Sequence, residues 1–154
     1  MAEMFIGAGV MDDVIVYDKA KWHYQGGYPR DLPKENAYTH AGIFLAWLIG
    51  KNFLDSTFVE DFQTDIQQLR ERRITPGHFF QVVDGVLASD MLNEEGNAFA
   101  ASYFDPEEGR YVSDYDELLA TQLPSAYHVA DTWENYERLK QRIDERYSAW
   151  KAGS

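Results

Sequence analysis

The chain of 154 residues contains no cysteine, which excludes disulfides, thiolate metal ligands and thiol nucleophiles. It has no apolar run approaching the ~20 residues that a membrane-spanning helix needs. Basic residues are scarce: 14 against 26 acidic ones leave a net charge of −12 and a pI near 4.6. A surface of that sign repels phosphate backbones and anionic headgroups, so nucleic acid and membrane surfaces are poor partners. A basic protein is the natural one, although excess acid also serves solubility alone. The first residues lack a basic region and their apolar stretch is interrupted by Gly7 and Gly9, so a secretory signal is not expected and a cytoplasmic location is. The cluster Gly7-Ala8-Gly9 lacks the third glycine of a dinucleotide loop, and no Gly-x-Ser-x-Gly elbow occurs. Neither a repeat nor a Pro-, Gly- or Ser-rich linker divides the chain. One domain over 1–154 is expected, with 1–12 as a loose lead-in.

Large apolar and aromatic side chains are plentiful, 45% and 15% of the chain, enough for one packed core. Their spacing is mostly helical. Val14 to Tyr17 is β-branched and reads as a short strand; Lys19 to Tyr24 reads as a single helical turn stopped by Gly26-Gly27. Asn36 is an expected N-cap for a helix over 37–49 that Gly50 ends. Thr57 and Glu60 stand at capping-box spacing before Phe58, Phe62, Ile66 and Leu69. Thr75-Pro76 opens a short helix that Gly85 closes. Ser89 or Asp90 caps a helix carrying Leu92, Phe99 and Tyr103, with Gly96 costing about 1 kcal/mol in its interior; a hairpin joining Tyr103 to Tyr111 across the Asp105-Pro106 turn is the alternative. Ser113 with Asp116 begins another short helix, and Asp131 with Glu134 begins the longest one. In that last helix Trp133, Tyr136, Leu139, Ile143, Tyr147 and Trp150 step by three or four, an aromatic seam suited to docking on the domain. The expected fold is mainly α, a single-domain bundle of five or six helices with one short N-terminal strand or a small hairpin; α+β is the alternative.

The unusual stretch is 21–47, which holds two of the four histidines and two of the four tryptophans. Trp22, His23, Tyr24, Tyr28, Tyr38 and His40, with the carboxylates of Asp31 and Glu35, are its candidate binding residues, because Trp and Tyr are enriched at binding hot spots. The same rings could equally fold back on the core. Imidazole suits proton transfer or metal ligation, yet His23, His40, His78 and His128 do not follow a metal-site spacing. His40 reads as a packed histidine hydrogen-bonded to a neighbour, and neither a metal nor a cofactor is expected. The acid pairs Asp12-Asp13, Glu94-Glu95, Glu107-Glu108 and Asp114 with Asp116 show no convergence that a hydrolase would need, and read as solvated loops and helix starts.

Several blocks together carry a resemblance: Trp22-His23-Tyr24, Asp31-Leu32-Pro33, Tyr38-Thr39-His40-Ala41-Gly42, Leu45-Ala46-Trp47, the run from Leu92 to Ala100, and the run from Tyr127 to Tyr136. The chain from Tyr17 to Trp150 resembles a family of small, acidic, largely uncharacterised bacterial cytosolic proteins. That resemblance implies an immunity partner of an interbacterial toxin and supplies no catalytic motif. The leading expectation is therefore a protein that binds a cognate, basic toxin domain and occludes its active site or substrate access. The alternatives are a small hydrolase using His23 or His40 as general base, and a structural or regulatory homo-oligomer joined through the last helix.

Overall fold

The segment with the fewest polar side chains, Thr39–Gly50 (α2), is the axis of the fold in the computed structural model, which describes residues 14–153. Ten of its twelve residues are buried. A helix apolar on every side has no face for water, so other elements must wrap it completely. Its partners are α5 (Pro76–Val82) along one side, α6 (Glu94–Tyr103) and the long α8 (Trp133–Gly153) on others, and α4 (Gln63–Arg70) at its end. Gly42 permits the closest approach: a Cβ there would lie 2.7 Å from the carbonyl oxygen of Pro76 and 3.2 Å from the Cα of Gly77.

Among the described residues there are eight α-helices, the others being α1 (Ala20–Tyr24), α3 (Ser56–Asp61) and α7 (Tyr111–Tyr115), which runs on into a wider π-type turn over Asp116–Ala120. The architecture is mainly helical, as the sequence pattern requires, and the count exceeds five or six because the expected helix from Thr57 breaks at Phe62 into α3 and α4 and the single turn expected near Lys19–Tyr24 is itself the helix α1. Its cap is Asp55, whose carboxylate accepts from the N–H groups of Thr57 and Phe58. Asn36 does not cap α2 either; a 3-10 turn over Lys34–Tyr38 leads into the helix, and Asn36 donates to the carbonyl of Tyr127 instead. Ser89 and Asp90 lie in another 3-10 turn, and Asn93 caps α6 through the N–H of Gly96. That glycine is required by packing, since a Cβ would stand 2.6 Å from the carbonyl oxygen of Phe53. The alternative hairpin between Tyr103 and Tyr111 does not form: those residues end α6 and begin α7. Thr75 and Pro76 behave as expected, with the Thr75 side chain accepting from the N–H of His78.

The expected N-terminal strand exists as β1 (Val16–Lys19), and its partner is distant in sequence: β2 (Val86–Ala88), paired antiparallel with an irregularity between Val16 and Asp18. Asp84 and Gly85, both left-handed at φ 62° and 65°, turn the chain from α5 into β2. The carbonyl of Gly85 then accepts from the N–H of Ala20 at 2.8 Å, which ties the start of α1 to the same turn. The aromatic seam of α8 is docked within the chain: Tyr136, Leu139 and Ile143 are buried, and Trp150 and Tyr147 stand 5.4 and 5.3 Å from the ring of Phe99. None of the helices among the described residues is long and apolar enough to cross a membrane. The lead-in 1–12, the Gly7-Ala8-Gly9 cluster and Asp12-Asp13 lie outside the described residues.

Candidate functional site

Three polar side chains meet beneath the loop that follows α1. Strand β1 turns Asp18 inward, α1 carries His23 one and a half turns later, and the first turn of α2 presents His40. The Nε2 of His23 stands 2.8 and 3.0 Å from the two carboxylate oxygens of Asp18, and the Nδ1 of His40 lies 3.8 Å from Oδ2. The other ring nitrogen of His23 meets the hydroxyl of Tyr127 at 2.9 Å. Side-chain exposure is only 10% for Asp18, 15% for His40 and 24% for His23, so these groups interact away from bulk water, where charge and hydrogen bonding act more strongly. Burial pushes the Asp18 carboxyl up, but hydrogen bonding to His23 and the charge of His23 and His40 outweigh it and hold the group below its ordinary value. The backbone N–H of Lys19 also donates to Oδ1 at 2.9 Å.

His40 is a packed histidine, as its place on the helix implies, with the rings of Tyr115, Tyr111 and Phe104 at 4.7, 5.0 and 6.1 Å. Its Nδ1 nevertheless has no hydrogen-bond partner, because 3.8 Å to Asp18 is beyond hydrogen-bond reach. The carbonyl of His40 accepts from the hydroxyl of Tyr111 at 2.5 Å. Burial pushes that phenol well above its ordinary value, so it stays a donor at any physiological pH.

The remaining candidates of the 22–40 stretch divide into two groups. Tyr28 is tied down, its hydroxyl donating to the carbonyl of Pro33 at 2.7 Å and its ring 4.9 Å from Tyr127. Tyr24 lies under the ammonium of Lys34 at 5.1 Å, and Tyr38 packs edge-on to Phe80 at 6.1 Å. Trp22, Asp31 and Glu35 face outward, with 52% of Trp22 exposed. Asp31 reaches towards His128, whose Nε2 is 3.8 Å away and whose Nδ1 meets the Ser125 hydroxyl at 2.9 Å. His78 is exposed on α5, apart from the other three.

Sequence reasoning therefore named His23 and His40 and missed Asp18, Tyr127 and Tyr115. The available hint was a single aspartate inside a β-branched strand, a place where a carboxylate is unfavourable unless paired. Several clefts lie elsewhere among the described residues. One of about 530 Å³ is lined by Glu117, Thr121, Gln122, His128, Asn135 and Arg138. A more apolar one of about 300 Å³ lies between Ile49, Leu69, Trp133 and Tyr136.

Comparison with known proteins returns nothing among curated proteins and nothing among solved structures. One family model does match, over residues 16–129. The match takes in β1, α2, Asp18, both histidines and Tyr127, and ends before α8, so the part of the Tyr127–Tyr136 block beyond Val129 lies outside it. With well over half of its length covered, the chain belongs to the family described as Domain of unknown function (DUF7832).

Proposed function

We propose that the protein is a binding protein of the immunity type, which covers the active site or substrate entrance of a basic toxin domain. The observation that carries this reading is the half-exposed indole of Trp22 on α1, in a stretch whose other rings are anchored. An aromatic held ready on an ordered support loses little freedom on binding and offers a large apolar area to bury. The net charge of −12 would speed encounter with a cationic surface. The stretch from Lys21 to Glu35 is nearly balanced, since exposed Lys21, Arg30 and Lys34 accompany Asp31 and Glu35. Steering thus comes from the molecule as a whole and the anchor from Trp22.

Surface-based kinetics against the polypeptide encoded by the adjacent reading frame tests this. Replacing Asp31 and Glu35 by lysine changes the net charge from −12 to −8, four units less negative, and should slow association more at low salt than at high salt. Trp22→Ala should accelerate dissociation instead. An association rate indifferent to ionic strength, or a dissociation rate indifferent to Trp22→Ala, would remove the support for this reading.

The convergence of His23 and His40 on Asp18 favours a second reading, a hydrolase with one imidazole as general base. It requires turnover of an ester, amide or phosphoester substrate that disappears in His40→Gln while the fold persists. Against it, both ring nitrogens of His23 are already engaged.

A further inference from the structure

We propose that Asp18, His23 and His40 form a binding site for a divalent first-row transition cation of the zinc class. This inference stands apart from any partner of the loop.

The donor atoms of the three residues all lie within 4.8 Å of one another. Neighbouring ligands bonded at about 2.0–2.2 Å to a zinc-sized ion stand about 3 to 3.5 Å apart. The His23–Asp18 separation of 2.8 Å lies just below that range and the His40–Asp18 separation of 3.8 Å just above it, so closure on a cation asks only for small side-chain rotations. Two imidazoles and one carboxylate are a borderline donor set, suited to zinc and its neighbours and poorly suited to magnesium or calcium, which prefer oxygen alone.

Two further features belong to a ligand site more than to a simple ion pair. The Nδ1 of His40 is buried and without a hydrogen-bond partner. An orphaned polar atom in a packed interior is unfavourable, and a coordinate bond would satisfy it. The second feature is the surrounding shell. Tyr127 takes up the Nδ1 of His23 and so orients Nε2 towards Asp18, and the N–H of Lys19 holds the carboxylate oxygen from behind. Outer partners of this kind fix the tautomer and direction of ligating histidines and carboxylates. Three protein ligands would leave one position of a tetrahedral ion for water or another small donor.

Because the ligands come from β1, α1 and α2, a bound cation would cross-link the N-terminal segment to the central helix and stabilise the fold by mass action. The test uses the full chain, freed of metal with a chelator and then titrated with zinc and cobalt(II). Isothermal titration should show a single equivalent of zinc that excess magnesium does not displace, and zinc should raise Tm. Cobalt(II) should give visible absorption characteristic of a nitrogen- and oxygen-ligated, low-coordinate ion. His40→Gln and His23→Gln should lose that absorption. Tyr127→Phe keeps all three ligands and should weaken binding by about 10-fold or more; it decides the matter if the ligand variants do not fold, as judged by circular dichroism. Absence of stoichiometric uptake by the wild type, uptake that survives in a folded His40→Gln variant, or an affinity unchanged in Tyr127→Phe would each overturn the proposal.

Discussion

Replacing Asp114 by asparagine should destabilise the protein more than any other change of one atom on its surface helices, and the effect should depend on pH in a defined way. Asp114 lies on α7 with its side chain only 2% exposed. Both of its oxygens are used: Arg146 grips it through two bonds of 2.9 Å, Arg142 adds a third at 2.9 Å, and the hydroxyl of Tyr103 donates at 2.7 Å. This single carboxylate joins α6, α7 and α8. Breaking a buried ion pair from one side costs about 3–5 kcal/mol. The arginines retain 23% and 34% exposure and can recover water, which places Asp114→Asn near the low end, about 3 kcal/mol. For a chain of this size that is a fall in Tm of roughly 6–12 °C.

The pH dependence separates charge from shape. Burial raises the Asp114 carboxyl, but hydrogen bonds from Arg146, Tyr103 and Arg142 outweigh it and hold the folded value below the ordinary 3.8. A group depressed on folding contributes stability that is complete above its unfolded value and is lost as pH falls through its folded value. Asparagine has no such proton to gain. The difference in Tm between wild type and Asp114→Asn, followed by circular dichroism, should therefore be constant from pH 7 to about pH 4 and shrink below 3.8. Other carboxylates titrate in both proteins and largely cancel in the difference. A gap under about 1 kcal/mol at pH 7, the size of an exposed pair, would refute the assignment of a buried clamp. A gap that did not narrow below pH 3.8 would refute its charge-dependent origin.

Gly42→Ala sets helix propensity against packing. Alanine favours α2 by about 1 kcal/mol, but its Cβ would meet the backbone of Pro76, which cannot swing aside. Overpacking of about 1–3 kcal/mol should win, lowering the urea midpoint; an unchanged or higher midpoint would show that α2 and α5 separate freely. Asp131→Ala removes the acceptor of the Thr75 hydroxyl at 2.5 Å and of the Gly77 N–H at 2.9 Å. A loss of about 2 kcal/mol is expected, with faster amide exchange confined first to α5; uniform exchange over the whole chain would argue against a local role.

Legibility in the sequence followed range of interaction. Thr75 and Pro76 announce α5 because an N-cap and a proline act within three residues, and the structure keeps both. The long period of three and four in α8 survives for the same reason, since a helix repeats its own face. Asn36 and Thr57 misled because several nearby polar groups could cap, and packing chose among them: Asp55 was free to cap α3, while Asn36 was drawn to Tyr127. Gly96 counts against a helix on propensity, yet only a hydrogen on that Cα fits beside Phe53.

What the amino-acid order determined alone was the class of the molecule: a mainly helical, acidic, thiol-free chain, because composition and short-range periodicity are properties of the chain itself. What only the tertiary structure decided was the meeting of Asp18, His23, His40 and Tyr127. His23 and Tyr127 are 104 positions apart, and β1 finds its partner some 70 residues downstream. No local rule couples such positions; they meet because wrapping α2 on every side leaves β1, α1 and the Tyr127 turn to share its first turn.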